Sequence, residues 1–132
     1  MTRGLIIFKR LHPDDYQLTI ELSDDGTVWM TMQEIAVLFN VKQSAFETNL
    51  KALLKSNKLG KECVKMERAY SLSNDQSCFV EYFNLEVIIA LSFRIESYPS
   101  TLFQQWVAQQ IRTSIKGTDP ILCRLGTTAM MN

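Results

Sequence analysis

The segment between residues 31 and 54 constrains the fold of this chain more than any other part of the sequence. Thr31 stands where a helix N-cap belongs, and Glu34 follows three residues later, which is the signature of a capping box. Asn40, which tolerates the left-handed backbone conformation, marks the end of this first helix. A second helix is predicted from about residue 43 to about residue 56. Its apolar residues recur at helical spacing on one face: Phe46, Leu50, Leu53 and Leu54.

Two helices joined by a short turn form a helix-turn-helix unit, and the residue spacing fits one. With Met32 as position one, the small Ala36 falls at position five, where the helices approach closely, and Asn40 falls at position nine, in the turn. Positions four, eight, ten and fifteen are all apolar: Ile35, Phe39, Val41 and Phe46. Because several independent positions agree, the spacing predicts a helix-turn-helix.

Strand patterns precede these helices. Residues 4–8 form a short apolar run that suits a strand, and turn-forming residues follow at 12–15. Residues 16–22 alternate between apolar and polar, and a second turn-forming stretch at 23–26 separates them from another short run, 28–30. We therefore predict an N-terminal hairpin that pairs 16–22 with 28–30 and buries one face.

A second hairpin is predicted after the helix-turn-helix, where residues 63–72 and 77–83 are rich in alternating, β-branched and aromatic side chains. With Asn74 and Asp75 as its turn, Met66 lies opposite Phe83. A hairpin in this position is typical of the wing of a winged helix.

The cysteines are read as free thiols. The chain has three of them, Cys63, Cys78 and Cys123, without a CxxC pair and with a single histidine, which argues against a zinc site. The same hairpin register places Arg68 opposite Glu81 and Cys78 opposite Ser71, far from Cys63, so we expect no disulfide between the two strands.

Two helices are predicted downstream. Asn84 caps the first, which runs from residue 85 to about 95 and is apolar almost all round, so we expect it to be central and buried. Pro99 suits the first turn of the next helix, which ends before Gly117. Its apolar stripe consists of Leu102, Phe103, Trp106, Val107, Ile111 and Ile115. We expect this stripe to be core or a dimer face.

Together these elements predict a single α+β domain, residues 1–117, of winged helix-turn-helix type, with an N-terminal hairpin, a wing hairpin and two C-terminal helices. The apolar residues of segment 118–132 show no clear helical or strand period, so this segment is predicted to be a C-terminal tail without an assigned element. The apolar run at 5–8 is too short for a signal-peptide core or a membrane span, so we expect a cytoplasmic protein without membrane contact.

Charge is balanced overall but unevenly distributed. The 132 residues include 14 basic and 14 acidic side chains, which argues against nucleic-acid binding through a strong positive field alone. Residues 40–68, however, carry seven basic and three acidic side chains, an excess of four positive charges. This segment contains the second helix of the predicted helix-turn-helix and the residues on either side of it.

Three stretches in this order resemble the RhuM family of bacterial virulence-associated proteins. They are residues 28–41 (VWMTMQEIAVLFNV), 80–91 (VEYFNLEVIIAL) and 103–106 (FQQW), and the resemblance extends over roughly residues 28–117. It implies a DNA-binding protein, with a role in transcription regulation, that belongs to a mobile or pathogenicity element. The chain departs from the family pattern at 43–47 (QSAFE) and at 100–102 (STL). Because family members are typically longer, we expect a truncated member or an N-terminal module.

The second helix is the expected DNA-contacting element, because its outward N-terminal residues would enter a major groove. A glutamine can pair with an adenine edge and a glutamate can accept from cytosine N4, while lysines contact phosphates. The predicted DNA-binding residues are Lys42, Gln43, Ser44, Glu47, Thr48, Lys51, Lys55 and Lys58. Lys61 is a further candidate for a phosphate contact. Double-stranded DNA is thus the expected partner, with a homodimer as a possible assembly because two units double the contacts.

The same pattern also permits a protein-interaction module, since helix-turn-helix units hold proteins together and helix lysines often form a solvated face. Zero net charge favours this alternative. Catalysis finds little support: the chain has no phosphate-binding glycine motif, and His12 lacks an identifiable nucleophile partner. The acidic pairs at 14–15 and 24–25 suit turns better than a metal site. We expect no enzyme, no cofactor and no metal.

Overall fold

The structure, a computed structural model, describes residues 2–13, 15–56, 58–70 and 76–117. In chain order its elements are β1 (Leu5–His12), β2 (Asp15–Glu21), α1 (Met32–Leu38), α2 (Gln43–Lys55), a 3₁₀ helix (Lys61–Cys63), β3 (Val64–Tyr70), β4 (Ser77–Phe83), α3 (Leu85–Ser92) and α4 (Tyr98–Gly117). The strands form two separate antiparallel hairpins, β1–β2 and β3–β4. The predicted α+β class is therefore confirmed.

The N-terminal hairpin differs from the prediction in its partner strand. Residues 16–21 pair with β1, where Ile6 lies opposite Ile20 and Phe8 opposite Leu18, and not with residues 28–30. The turn at 23–26 does form, but Trp29 then donates its backbone N–H to the Arg3 carbonyl at 2.8 Å. The prediction was wrong because the eight-residue β1 is a longer partner than a three-residue run.

Residues 28–30 are instead built into the core. Val28 and Trp29 are adjacent in the sequence and both are buried. In a strand with one exposed face, neighbouring side chains would instead alternate between buried and exposed. Met30 forms an isolated antiparallel bridge with Phe83, through backbone hydrogen bonds of 3.0 and 2.8 Å. This bridge joins the segment before α1 to the end of β4.

Local chemistry sets the boundaries of α1 and α2 as predicted. The Glu34 N–H donates to Thr31 Oγ1 at 3.2 Å, and the Thr31 N–H donates to Glu34 Oε1 at 2.8 Å, which completes the capping box. Asn40 adopts the left-handed conformation with φ of 54°, and Ala36 is buried. The helices are therefore joined by a tight turn, residues 39–42.

The register of β3–β4 is shifted by two residues from the prediction. Met66 lies opposite Glu81 and Arg68 opposite Phe79, while Phe83 pairs with Val64. Phe83 is almost fully buried and Met66 is 59% exposed, so the observed register keeps the buried residue at the core end of the hairpin. A shift of two preserves which side chains share a face, since the strand period is two.

The two C-terminal helices begin as predicted. Asn84 accepts from the Val87 N–H at 3.2 Å, and Ser97 accepts from the Ser100 N–H at 3.2 Å with Pro99 in the first turn of α4. Helix α3 ends at Ser92, three residues before the predicted end, because residues 93 and 94 close a tighter turn onto the carbonyls of residues 90 and 91. As expected, α3 is a buried central helix.

One core joins the helices to both hairpins. Its most deeply buried large side chains are Val28, Ile35, Phe39, Phe46, Phe83, Val87, Ile88, Leu91 and Phe103. The inner face of β1–β2 packs against this cluster through half-buried Phe8, Leu18 and Ile20. Cys63 is buried and Cys78 is exposed opposite Ala69, and both are free thiols.

Some predictions fall outside the residues that the structure describes. These are the tail at 118–132, the hairpin turn at Asn74 and Asp75, and Cys123.

Candidate nucleic-acid interface

Helix α2 presents the predicted DNA-binding residues to solvent. Its buried face carries Phe46, Leu50 and Leu53, which pack into the core against the neighbouring helices. Residues 44, 48, 51 and 55 follow each other at helical spacing on the opposite side. Seven of the eight predicted residues are exposed, and Glu47 is half-buried. The fold thus gathers six of them on one helix and places Lys42 before it and Lys58 after it.

The polar side chains at the start of α2 differ in their freedom to bind. Thr48 Oγ1 donates to the Ser44 carbonyl at 3.3 Å, and Asn49 Nδ2 donates to the Ala45 carbonyl at 3.3 Å. The side chains of Gln43 and Ser44 form no hydrogen bond with other described residues. Gln43 and Ser44 are therefore the polar groups of this surface most available to an external partner.

The lysines of this surface are not neutralised by the fold. Within the described residues the ion pairs join Arg3 to Glu34 and Lys65 to Glu67. No described carboxylate lies within 4.0 Å of the ammonium groups of the exposed lysines around α2, which are Lys42, Lys51, Lys55, Lys58 and Lys61. Glu47 and Glu62 are the acidic neighbours on these elements. Exposed charges of this kind are screened by salt, so any anion that these lysines bind should be held less tightly as the salt concentration rises.

The start of α2 also lacks a side-chain cap. Lys42 occupies the N-cap with extended backbone and offers no acceptor, and the first turn contains no acidic residue. The first backbone N–H groups therefore remain available to an anion, in contrast to those of α1, whose cap is formed by Thr31.

Sequence reasoning missed Arg94, which the fold brings beside α2. Arg94 and Glu96, from the turn between α3 and α4, line a groove with Ala45 and Asn49 of α2, and its volume is about 190 Å³. The remaining lining residues are Val41, Phe46 and Ile95. Nothing in the sequence signals this neighbour, since about 45 positions separate Arg94 from Asn49 and only tertiary packing joins them.

The β3–β4 hairpin has one exposed face of mixed character. Met66, Tyr70 and Phe79 are 59 to 69% exposed, and the Arg68 guanidinium lies 5.4 Å from the centre of the Phe79 ring. Arg68 and Phe79 are directly opposite each other in the register. This face offers a cation stacked on an aromatic ring.

A separate apolar groove lies between β1–β2 and α4. Phe8, Tyr16, Val37, Tyr98 and Leu102 line it together with residues 38, 40 and 99, and its volume is about 370 Å³. Val37 is 80% exposed at its edge, and the ring of Tyr16 meets that of Tyr98 edge to face at 5.6 Å. The groove lacks charged side chains, which sets it apart from the surface of α2.

Among the residues that the structure describes, two titratable groups have shifted pKa values, and both belong to the structural framework. Hydrogen bonds from the Ser23 hydroxyl and from Trp29 Nε1 at 3.0 Å lower the pKa of Asp25. Burial raises the pKa of the Cys63 thiol, and its hydrogen bond to Glu86 at 3.4 Å raises it further. Cys63 therefore stays a protonated thiol at neutral pH, unlike a reactive thiolate.

The described residues contain no group of three or more potential ligands that could hold a metal ion. Among the same residues, no helix has the length and apolar content needed to cross a bilayer.

Comparison of the chain with protein-family models, with curated proteins and with solved structures finds no match.

Proposed function

We propose that this chain is a module that binds double-stranded DNA through a winged helix-turn-helix. Helices α1 and α2 form the helix-turn-helix, α2 lies in the major groove, and the β3–β4 hairpin is the wing. The N-terminal residues of a recognition helix contact base edges in such complexes, while flanking cations contact phosphates. The chain would act as a regulator of transcription.

The observation that carries the proposal is the cluster of five exposed lysines around α2 that have no described carboxylate within 4.0 Å. Lys51 and Lys55 lie on α2, and Lys42, Lys58 and Lys61 flank the helix. Unpaired lysines of this kind are the groups that neutralise the phosphates of a duplex. The zero net charge of the chain makes this local concentration informative, because it does not follow from a basic composition.

Base contacts would come from the first two turns of α2. Gln43 has the amide that pairs with an adenine edge, and Glu47 has the carboxylate that accepts from cytosine N4. Ser44 and Thr48 lie beside them on the exposed side. A good bidentate contact of this kind contributes about 1–3 kcal/mol of discrimination between bases.

The RhuM-like motifs support the same proposal from the sequence side. Residues 28–41 of the resemblance include α1 and its capping box, and residues 80–91 include the end of β4 and most of α3. The proposed biological context is therefore a mobile or virulence-associated element of a bacterium.

A charge-reversal experiment tests the proposal. Lys51→Glu combined with Lys55→Glu should weaken binding to a fluorescent random-sequence duplex by on the order of tenfold or more, because two phosphate contacts become repulsive. The matched control is Lys9→Glu combined with Lys116→Glu, which changes two exposed lysines on β1 and at the end of α4. Both variants have the same net charge.

Equal affinity of the α2 variant and the wild type for the duplex would overturn the proposal. If both double variants lost affinity to the same extent, the binding would depend on net charge and not on α2, and the assignment of α2 as the recognition helix would also fail.

Protein interaction is the second candidate function, and the apolar groove beside α4 is the observation that favours it. Its lining of Phe8, Tyr16 and Leu102 and the exposure of Val37 suit an apolar segment of a partner. Binding of this kind depends weakly on salt, whereas phosphate contacts depend on it strongly. A protein partner would therefore be recognised by affinity that persists at high salt.

The homodimer remains a prediction. Residues 108–116 of α4 are exposed, and Ile111 and Ile115 lie among them at 52 and 49% exposure. Analytical ultracentrifugation of the wild type and of an Ile111→Ser, Ile115→Ser variant would show whether these side chains mediate association.

A further inference from the structure

One wall of the groove between α2 and the α3–α4 turn carries an arginine, which suits the binding of an anion. Arg94 is exposed on this wall, and no described carboxylate lies within 4.0 Å of its guanidinium. The opposite wall is formed by Ala45 and Asn49, one helical turn apart on α2. Because Ala45 has a small side chain, the space of about 190 Å³ beside it stays open.

The groove lies beside the exposed residues of α2 that are predicted to contact DNA. Ala45 and Asn49 each follow a predicted DNA-binding residue, Ser44 and Thr48, and so lie about 100° further round the helix. A helix in a major groove has phosphates along both of its flanks. The groove thus lies where one flank of the duplex would pass.

The helix itself provides little positive charge at this end. Lys51 and Lys55 lie in the C-terminal half of α2, whereas the first two turns carry Glu47 and no cation after Lys42. A duplex bound through these first turns would meet an uncompensated carboxylate. Tertiary packing brings Arg94, a cation, to this end of the helix.

We propose that this groove binds a backbone phosphate of double-stranded DNA, with Arg94 as its cationic ligand. The planar guanidinium donates two parallel hydrogen bonds to a phosphate, which fixes position as well as charge. Asn49 lines the same space, and the uncapped start of α2 lies next to it at Val41. This inference rests on the proposed function, and it assigns to DNA contact a residue outside the helix-turn-helix.

Glu96 is the group that opposes this role. It lines the same groove, and its carboxylate would repel a bound phosphate. Removing its charge should therefore strengthen DNA binding by more than the same change in Glu21→Gln, since Glu21 is an exposed carboxylate on β2 that does not line the groove. Equal gains in the two variants would show an effect of net charge and not a phosphate in the groove.

The test measures the dissociation constant for a random-sequence duplex as a function of salt. In Arg94→Ala, the slope of log K against log salt should fall by about 0.9, which corresponds to one lost phosphate contact. The loss of affinity between about 50 and 200 mM salt then becomes about threefold smaller than in the wild type. Arg94→Lys should keep the slope, and Glu96→Gln should raise the affinity.

Arg112→Ala is the matched control, because Arg112 is an exposed arginine near the far end of α4. Its slope should equal that of the wild type. Circular dichroism and thermal unfolding of each variant establish that the fold is intact, as expected for changes at exposed positions.

The outcomes separate this inference from the proposed function. If Arg94→Ala keeps the wild-type slope while the Lys51 and Lys55 double variant loses affinity, α2 binds DNA and the groove does not hold a phosphate. If the wild type binds no duplex at either salt, the proposed function fails and this inference fails with it.

Discussion

The ring of Phe103 meets the ring of Phe39 edge to face, with centroids 5.7 Å apart and planes at 78°. Phe39 caps the C-terminus of α1, and Phe103 lies in the second turn of α4. Both side chains are fully buried. This pair joins the last helix to the turn between α1 and α2, so the geometry of the helix pair depends on a residue more than sixty positions away.

Phe103→Ala should destabilise the domain by about 3–5 kcal/mol, because it removes a buried ring and leaves a cavity beside Phe39. Urea unfolding followed by circular dichroism measures this change. Phe93→Ala is the matched control, since Phe93 is 65% exposed and its loss should cost less than about 0.5 kcal/mol. Similar losses in both variants would contradict the described core.

Thr31→Ala should cost about 1 kcal/mol of the free energy of unfolding, because the Glu34 N–H loses its side-chain acceptor at the start of α1. Thr48→Ala provides the comparison, since Thr48 lies in the exposed interior of α2, where alanine has the higher helix propensity. The Thr48 variant should be as stable as the wild type or slightly more stable. Equal destabilisation by the two changes would argue against the capping box.

The Asp25 carboxylate should make stability depend on pH in the acid range. Hydrogen bonds from Ser23 and Trp29 lower its pKa in the folded state below the ordinary value of 3.8. The unfolded chain therefore takes up a proton first as the pH falls, and this contribution to stability is present above the ordinary value and lost below it. The thermal midpoint should fall on acidification, and Asp25→Asn should show a smaller fall.

Asp24→Asn is the control for this pH dependence, because the Asp24 side chain accepts no hydrogen bond from the described residues. This variant keeps the Asp25 carboxylate with its hydrogen bonds from Ser23 and Trp29, so its thermal midpoint should still fall on acidification. An Asp25→Asn profile that overlays both would show that the hydrogen bonds to Asp25 contribute nothing to stability.

The thiols should differ in reactivity by their burial. In a Cys123→Ser background, Cys78 should react with a maleimide within the mixing time of an ordinary assay, because it is exposed on β4. Cys63 is fully buried and its pKa is raised, so its labelling should wait for unfolding. Rapid labelling of both thiols in the native protein would contradict the packing of Cys63 under α3.

The local elements of this fold could be predicted from the sequence because short-range chemistry specifies them. Thr31 and Glu34 reveal a helix start within four residues, and Asn40 reveals the turn because few residue types accept its backbone conformation. Asn84 marks the start of α3 in the same way. The exposed residues of α2 follow from helical spacing alone.

Pairings between distant segments could not be predicted in the same way. The alternation of residues 16–22 shows that they form a strand but does not identify the partner, and the actual partner is β1. The β3–β4 register depends on Phe83, whose bridge to Met30 holds one end of the hairpin in the core. A shift of two residues is invisible to alternation, because it leaves every side chain on the same face.

The residues of the candidate site also differ in whether the sequence alone reveals them. Lys51 and Lys55 are evident in the sequence because they lie on one helix, whereas Arg94 comes to lie beside the first half of α2 only through the packing of the α3–α4 turn. When a surface is assembled from separate elements, its residues can be named only once the fold is known.

The proposal that α2 binds duplex DNA is tested most directly by titrating the wild-type protein against a fluorescent random-sequence duplex at about 50 and 200 mM salt. If the five lysines around α2 contact phosphates, the dissociation constant should rise on the order of 10²- to 10³-fold between these conditions. No binding at either salt, or binding whose strength does not change with salt, would contradict the assignment of α2 as a DNA-binding helix.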